Sequence, residues 1–189
     1  MMRVIILVAL SLALLDMAWS APPTCADALE GVFYDSKRLD ANLLARNGTM
    51  LGTVILSVVE RKESRCFRAV FTVEGNNLSL GKLRAGIITA GEPLPTGKNR
   101  FTKRKLATAP LRMKMDICPD RIPRGESDFS CCGLLEFFAF AVFNQGETSV
   151  RGYLAPAANT TQKCRIPDEK KPFRYVCTVE SFCRILTPD

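Results

Sequence analysis

Hydrophobic and polar residues alternate along much of this chain, a pattern typical of β-strands with one buried face. The strictest alternation is in residues 111–117, where apolar residues hold the odd positions and charged residues the even ones. Residues 66–74 repeat the pattern. We predict that both segments are half-buried strands. Met113 and Met115 are expected to point into the core, because strict alternation leaves only one face dry.

Two longer segments are apolar on both faces, which favours central strands. These are residues 51–59 and residues 134–143. In the second segment, the face that holds Phe138 and Phe140 has two interpretations. It is covered like the other face, or it is partly exposed and contacts a partner. Glu136 lies in the same segment and is expected either at its solvated end or in an ion pair.

Further strands are predicted at residues 83–89, 148–154 and 173–183, between turns marked by Gly, Pro and Asn. About seven short strands at this spacing predict an all-β fold, an antiparallel β-sandwich or a barrel. Residues 26–46 fit one helical face loosely, so one short N-terminal helix is left open. No long linker or repeat divides the chain, so residues 21–189 are expected to form a single domain.

Residues 1–20 have the pattern of a secretory signal peptide. Arg3 precedes an apolar run, and small residues lead up to Ala21. The apolar run is too short for a membrane span. We therefore expect a secreted, extracellular protein with no membrane span.

Eight cysteines follow this segment, and the chain has no histidine. An even number of cysteines behind a signal peptide predicts about four disulfides, with the connectivity left open. Cys131 and Cys132 are adjacent and are expected to bond to different partners. The chain contains no Cys-x2-Cys pair of the kind that binds zinc. We therefore expect no metal and no other cofactor. The eight residues are Cys25, Cys66, Cys118, Cys131, Cys132, Cys164, Cys177 and Cys183.

Three Asn-x-Ser/Thr sequences mark candidate N-glycosylation sites, at Asn47, Asn77 and Asn159. Each is near turn-forming residues. In a secreted protein these positions predict glycans on solvent-facing loops.

Residues 98–105 hold five cations in eight residues, within a chain of net charge +7. Such a cluster predicts binding of a polyanion, either a sulfated polysaccharide or an acidic protein. Two other interpretations stay open: an ordinary solvated loop, and a protease-accessible dibasic site at residues 103–104. A nucleic-acid partner is not expected outside the cell. The candidate binding residues are Lys98, Arg100, Lys103, Arg104 and Lys105.

The absence of histidine excludes Ser-His-Asp and Cys-His catalysis. We therefore expect no enzyme, but a secreted glycoprotein that binds an extracellular protein or an acidic polysaccharide. Two alternatives remain. One is a secreted inhibitor or effector that acts on another organism's enzyme or receptor. The other is a hydrolase with two catalytic carboxylates, although no sequence pattern identifies such a pair. The oligomeric state is left open.

Overall fold

The computed structural model describes residues 32–61, 64–94, 102–105, 110–122, 133–158, 163–170, 174–179 and 181–185. These ranges contain strands and, at Pro119–Arg121, one 3-10 turn. The strands are β1 (Val32–Ser36), β2 (Leu39–Leu44), β3 (Met50–Arg61), β4 (Ser64–Val73), β5 (Ser79–Thr89), β6 (Thr102–Lys105), β7 (Arg112–Ile117), β8 (Leu135–Gln145), β9 (Thr148–Pro156), β10 (Cys164–Arg165), β11 (Val176–Val179) and β12 (Ser181–Ile185).

The prediction of an all-β, antiparallel fold is confirmed. Among the described strands, ten form one sheet in the order β10-β11-β8-β9-β2-β3-β4-β7, with β5 on the other edge of β8 and β6 beyond β5. β1 and β12 pair separately. The sheet is curved, so that β5 comes close to the chain just before β7. There the Leu80 N–H donates a hydrogen bond to the Pro110 carbonyl at 3.0 Å. No ladder joins β6 to β7 in the described ranges, so the sheet is not closed.

The short N-terminal helix is not present in residues 32–46, which form β1 and β2. The residues of β2 alternate between buried and more exposed positions. Leu39, Ala41 and Leu43 are buried, whereas Asp40 is exposed. A two-residue period therefore describes this segment, because it places these three buried side chains on one face of a strand. Residues 26–31 lie outside the described ranges.

The core lies on the concave face of the sheet, and β8 is its central strand. Phe143 is fully buried there, and its ring lies close to one glycine of β9 and one glycine of β3. A Cβ on Gly152 would lie 2.7 Å from Cε2 of Phe143, and a Cβ on Gly52 would overlap the carbonyl oxygen of Thr72. Both glycines are therefore needed for the close packing of strands around this ring.

The strand predicted at residues 111–117 is present as β7, but it begins at Arg112. Met115 and Ile117 are buried, and Met113 is partly buried against the core. Leu111 is 63% exposed. It precedes the ladder, and its carbonyl accepts a hydrogen bond from the Val73 N–H at 2.9 Å.

Disulfides join Cys66 to Cys118 and Cys164 to Cys177. The first connects β4 to the end of β7, and the second connects β10 to β11. Cys183 lies in β12, opposite Tyr34 of β1. The other three cysteines and the signal-peptide residues 1–20 lie outside the described ranges. Within those ranges, no helix is both long enough and apolar enough to cross a membrane.

Candidate polyanion-binding face

A β-bulge in β5 decides which residues of this strand face outward. Leu80 pairs with Phe143 and Lys82 with Val142, so Gly81 is the extra residue. The bulge reverses the side-chain alternation. After it, Leu83 and the following odd positions enter the core, whereas Lys82 and the even positions lie on the convex face. A Cβ on Gly81 would lie 2.7 Å from Oδ1 of Asn144, so glycine leaves room for this amide.

The predicted basic segment continues this face through β6. Residues 102–105 form a strand, not a loop, and pair with β5. Lys103 is opposite Arg84, and Lys105 is opposite Lys82. Since directly opposed residues lie on the same face of an antiparallel pair, the register assigns positions 103 and 105 to the convex face. Position 104 is opposite Leu83. Lys98 and Arg100 lie outside the described ranges.

A row of convex-face residues runs from β5 across β8 to β9. Val142 of β8 is opposite Lys82 on one side and opposite Arg151 on the other. Both cations are exposed, and Val142 is half-buried between them. Their backbones are two inter-strand spacings apart, about 10 Å. The row therefore presents two positive charges on either side of an apolar centre.

The next row combines arginines with aromatic rings. Phe140 is opposite both Arg84 and Tyr153. The Arg84 guanidinium carbon lies 5.1 Å from the centre of the Phe140 ring, and that of Arg174 lies 5.4 Å from the centre of the Tyr153 ring. The two ring centres are 6.1 Å apart. These are cation–π distances, so each ring restricts the position of one guanidinium.

We call this surface the basic–aromatic face. Within the part of the chain that the structure describes, the side chains of its two rows include four cations and no carboxylate. Its residues are Lys82, Arg84, Phe140, Val142, Arg151, Tyr153 and Arg174, extended at its edge by positions 103 and 105.

The nearest acidic residue on this side of β8 is neutralised by an ion pair. Glu136 is 5% exposed. Arg165 donates its Nε–H to Oε1 at 2.7 Å and its Nη2–H to Oε2 at 2.6 Å. The hydrogen bonds to Glu136 raise the pKa of Arg165, which keeps the arginine charged. Of the two positions considered for Glu136, the ion pair is the correct one, and no net negative charge opposes the basic–aromatic face from here.

The convex side of β3 and β4 also carries two arginines, but both donate hydrogen bonds to one carboxylate of β7. Arg68 donates to both oxygens of Asp116, at 2.7 and 2.9 Å, and Arg61 donates to Oδ2 at 2.7 Å. The group has a structural role in joining three strands. It is therefore a weaker candidate for binding an anion.

The face predicted to contain Phe138 and Phe140 is neither fully covered nor fully exposed. Phe138 is buried with Ile88 and Val176, whereas Phe140 is half-buried. Leu134 precedes β8 and is 58% exposed. Within β8, the partly exposed part of this face is thus confined to the two rows of the basic–aromatic face.

Two candidate glycosylation sites lie in exposed turns of the described chain. Asn47 is between β2 and β3, and its Oδ1 accepts a hydrogen bond from the Thr49 N–H at 3.2 Å. Asn77 is between β4 and β5 and has φ of 67°. Neither belongs to the basic–aromatic face. Asn159 lies outside the described ranges.

The sequence alone indicated the residues of β6 but not Lys82, Arg84, Arg151 or Arg174, which are far apart in the chain. A glycine just before the alternation in β5 is the one signal that suggests a bulge there. No group of three or more cysteine and acidic residues that could hold a metal occurs in the described ranges.

Comparison of the chain with protein-family models, curated proteins and solved structures finds no match. The class of protein is therefore defined by the fold itself, an all-β antiparallel domain with disulfides.

Proposed function

We propose that this protein is a secreted, non-enzymatic glycoprotein that binds an acidic polysaccharide through its basic–aromatic face. The observation that carries the proposal is the gathering of Lys82, Arg84, Arg151 and Arg174 on one surface of the sheet. The residues come from separate segments, so the charge density does not follow from one basic stretch of sequence.

The charge of the face suits a polymer that carries repeated anions. Cations in two rows across β5, β8 and β9 attract a polyanion along its length, and the net charge of +7 adds a long-range field. Positions 103 and 105 extend both rows to the edge of the sheet. A chain lying across the strands would thus meet several cations in succession.

An acidic extracellular protein is the other ligand class open from the sequence. Protein interfaces usually contain well-packed apolar or aromatic anchors at their centre. Here the two rings are half-buried and lie beside guanidinium groups. This arrangement favours the polysaccharide.

The cysteines support the extracellular part of the proposal. Two disulfides are present among the described residues, as expected of a chain that folds in an oxidising compartment. We propose that the remaining cysteines complete about four bridges. We further propose that the curved sheet closes into a sandwich or barrel and that the three candidate asparagines carry glycans.

Retention on a heparin column tests the proposed ligand class. The double variant Lys82→Ala/Arg151→Ala should elute at lower salt than the wild type, because screening over about 8 Å at physiological salt makes such contacts salt-sensitive. The matched control is Arg112→Ala/Lys170→Ala, which removes two exposed cations outside the face. Equal elution of the two double variants would show that retention follows net charge, and the proposal would then fail.

A further inference from the structure

The turns that hold Asn47 and Asn77 lie at the same end of the sheet. Asn77 comes two residues before β5, which begins opposite Asn144 near the end of β8. Asn47 comes three residues after β2, whose last residue, Leu44, is opposite Tyr153 of β9. In the antiparallel sheet, this is the end at which β8 and β9 are joined. The two turns therefore flank the β8–β9 hairpin, one on the side of β5 and the other on the side of β2.

One row of the basic–aromatic face lies closest to this end of the sheet, and we call it the first row. It consists of Lys82, Val142 and Arg151. Lys82 is five residues from Asn77, which span at most about 18 Å when fully extended. Arg151 is two residues nearer to the β8–β9 turn than Tyr153, and β2 continues towards Asn47 in the same direction. Each exposed cation of the first row therefore has one of the two turns nearby.

The geometry of the two turns is compatible with attached glycans. Asn47 and Asn77 are both exposed. Asn47 uses its Oδ1 to accept the hydrogen bond from the Thr49 N–H at 3.2 Å, whereas a glycan is attached to Nδ2. A Cβ placed on Gly48 would have no atom within 4 Å beyond its chain neighbours, so the space beside this turn is open. The β2–β3 turn therefore keeps its hydrogen bond when a glycan is attached.

We propose that N-glycans on Asn47 and Asn77 form a steric barrier that selects polysaccharides by length at the basic–aromatic face. Short acidic oligosaccharides that cover only the two rows bind freely, whereas long chains that extend past the face meet the glycans and bind less tightly. The inference rests on the proposed function and adds a regulation of the same site.

The physical reason lies in the space that a glycan occupies. An N-glycan is a bulky branch on the protein surface. A long polysaccharide that overhangs the face excludes the glycan from part of the space that it otherwise explores, and this loss of conformational freedom opposes binding. An oligosaccharide that ends within the rows imposes no such loss. The contacts with the cations are the same in both cases, so the glycans discriminate by length and not by charge.

The test removes each glycan without replacing its asparagine. Asn77 has φ of 67°, a left-handed conformation in which asparagine is enriched, so changing this residue would disturb the turn. Thr49→Ala and Ser79→Ala instead destroy the Asn-x-Ser/Thr sequences, whereas the matched controls Thr49→Ser and Ser79→Thr keep them. None of the four substitutions changes a charge. Thr49→Ala also keeps the backbone N–H that bonds to Asn47.

The full-length protein is secreted from eukaryotic cells, and mass spectrometry first gives the occupancy of both asparagines. If both are unoccupied in the wild type, the steric barrier is ruled out. Melting temperatures of all variants are compared next, and either alanine variant alone keeps the test valid if the other is not secreted.

Calorimetry then measures the affinity per site for long heparin chains and for a heparin tetrasaccharide. Each alanine variant should bind the long chains about twofold or more tightly than the wild type, because less glycan freedom is lost. All variants should bind the tetrasaccharide equally, and the two controls should match the wild type throughout. Unchanged affinity for long chains, or an equal gain for both ligands, would overturn the barrier while leaving the proposed function intact. If the wild type binds neither ligand, the proposed function itself fails.

The salt dependence separates a steric barrier from competition by acidic sugars of the glycan. Excluded volume is not screened by salt, so the ratio of variant to wild-type affinity for long chains should stay constant as salt rises. Acidic glycan sugars that occupied the cations would act through charge, which salt screens. A ratio that falls towards one at high salt would therefore contradict the steric barrier.

Discussion

Arg165 and Glu136 form a bidentate ion pair that connects β10 to the central strand β8 across β11. The same guanidinium donates to the carbonyl of Glu92 at 3.1 Å, so it also fixes the chain that follows β5. A buried carboxylate that loses its partner is strongly destabilising. This pair therefore holds together the end of the sheet nearest the Cys164–Cys177 disulfide.

Removing the arginine of this pair should destabilise the fold. Arg165→Met is expected to decrease the free energy of unfolding by about 3 kcal/mol. This is the lower end of the range of about 3–5 kcal/mol for broken buried pairs. The lower end applies because the Arg165 side chain is 38% exposed, whereas that of Glu136 is 6% exposed. Urea unfolding measures the effect. The double variant Arg165→Met/Glu136→Gln should recover part of the loss, and no recovery would contradict the pairing.

The Asp116 carboxylate should make stability depend on pH. Its pKa lies below the ordinary value of 3.8, mainly because Arg68 donates hydrogen bonds to the ionised form; Arg61 adds to the effect, and partial burial opposes it. A carboxyl with a lowered folded-state pKa stabilises the protein fully above its unfolded-state pKa, and this contribution is lost as pH falls through the folded-state pKa.

Asp116→Asn should therefore cost about 1.5–3 kcal/mol at pH 7, the range for hydrogen bonds to charged groups. The difference from the wild type should shrink as pH falls below the ordinary value of 3.8. Urea unfolding at neutral and acidic pH measures both quantities. A difference that stays constant down to about pH 2 would show that the ion pairs with Arg68 and Arg61 are not its source.

Two adjacent residues of β7 differ in their exposure to solvent. Met115 is 3% exposed, whereas Lys114 is exposed. Met115→Ala should cost about 2–5 kcal/mol through the cavity that it leaves in the core. Lys114→Ala should cost less than about 1 kcal/mol, as substitutions on the surface usually do. Thermal or urea unfolding gives the two values, and equal losses would be inconsistent with the observed faces of the strand.

The register of β6 predicts that its three basic residues contribute unequally to polyanion binding. Positions 103 and 105 are opposite the convex-face residues of β5, and position 104 is opposite Leu83. Lys103→Ala and Lys105→Ala should each lower the salt concentration at which the protein elutes from heparin, and Arg104→Ala should lower it less. Each variant removes one charge, so net charge is matched. Identical elution of all three would count against the register-based assignment.

Alternating patterns correctly predicted strands because a half-buried strand repeats every two residues within a single short segment. Residues 66–74 and 111–117 correspond to β4 and β7, and residues 51–59 lie in β3. The ambiguous segment at 26–46 shows the limit of such local reasoning. Its leucines fit two periods, and pairing of β2 with both β3 and β9 decides in favour of the strand.

The amino-acid sequence was enough to predict an all-β fold, to count an even set of cysteines and no histidine, and to locate the basic residues of β6. The grouping of distant cations on one face depends on how the strands pair. Gly81 shifts the register of β5 by one residue, which places Lys82 and Arg84 beside Phe140 and Val142. Such a shift depends on hydrogen bonds between strands that are about sixty residues apart, so Gly81 can suggest a bulge from the local sequence but cannot establish it.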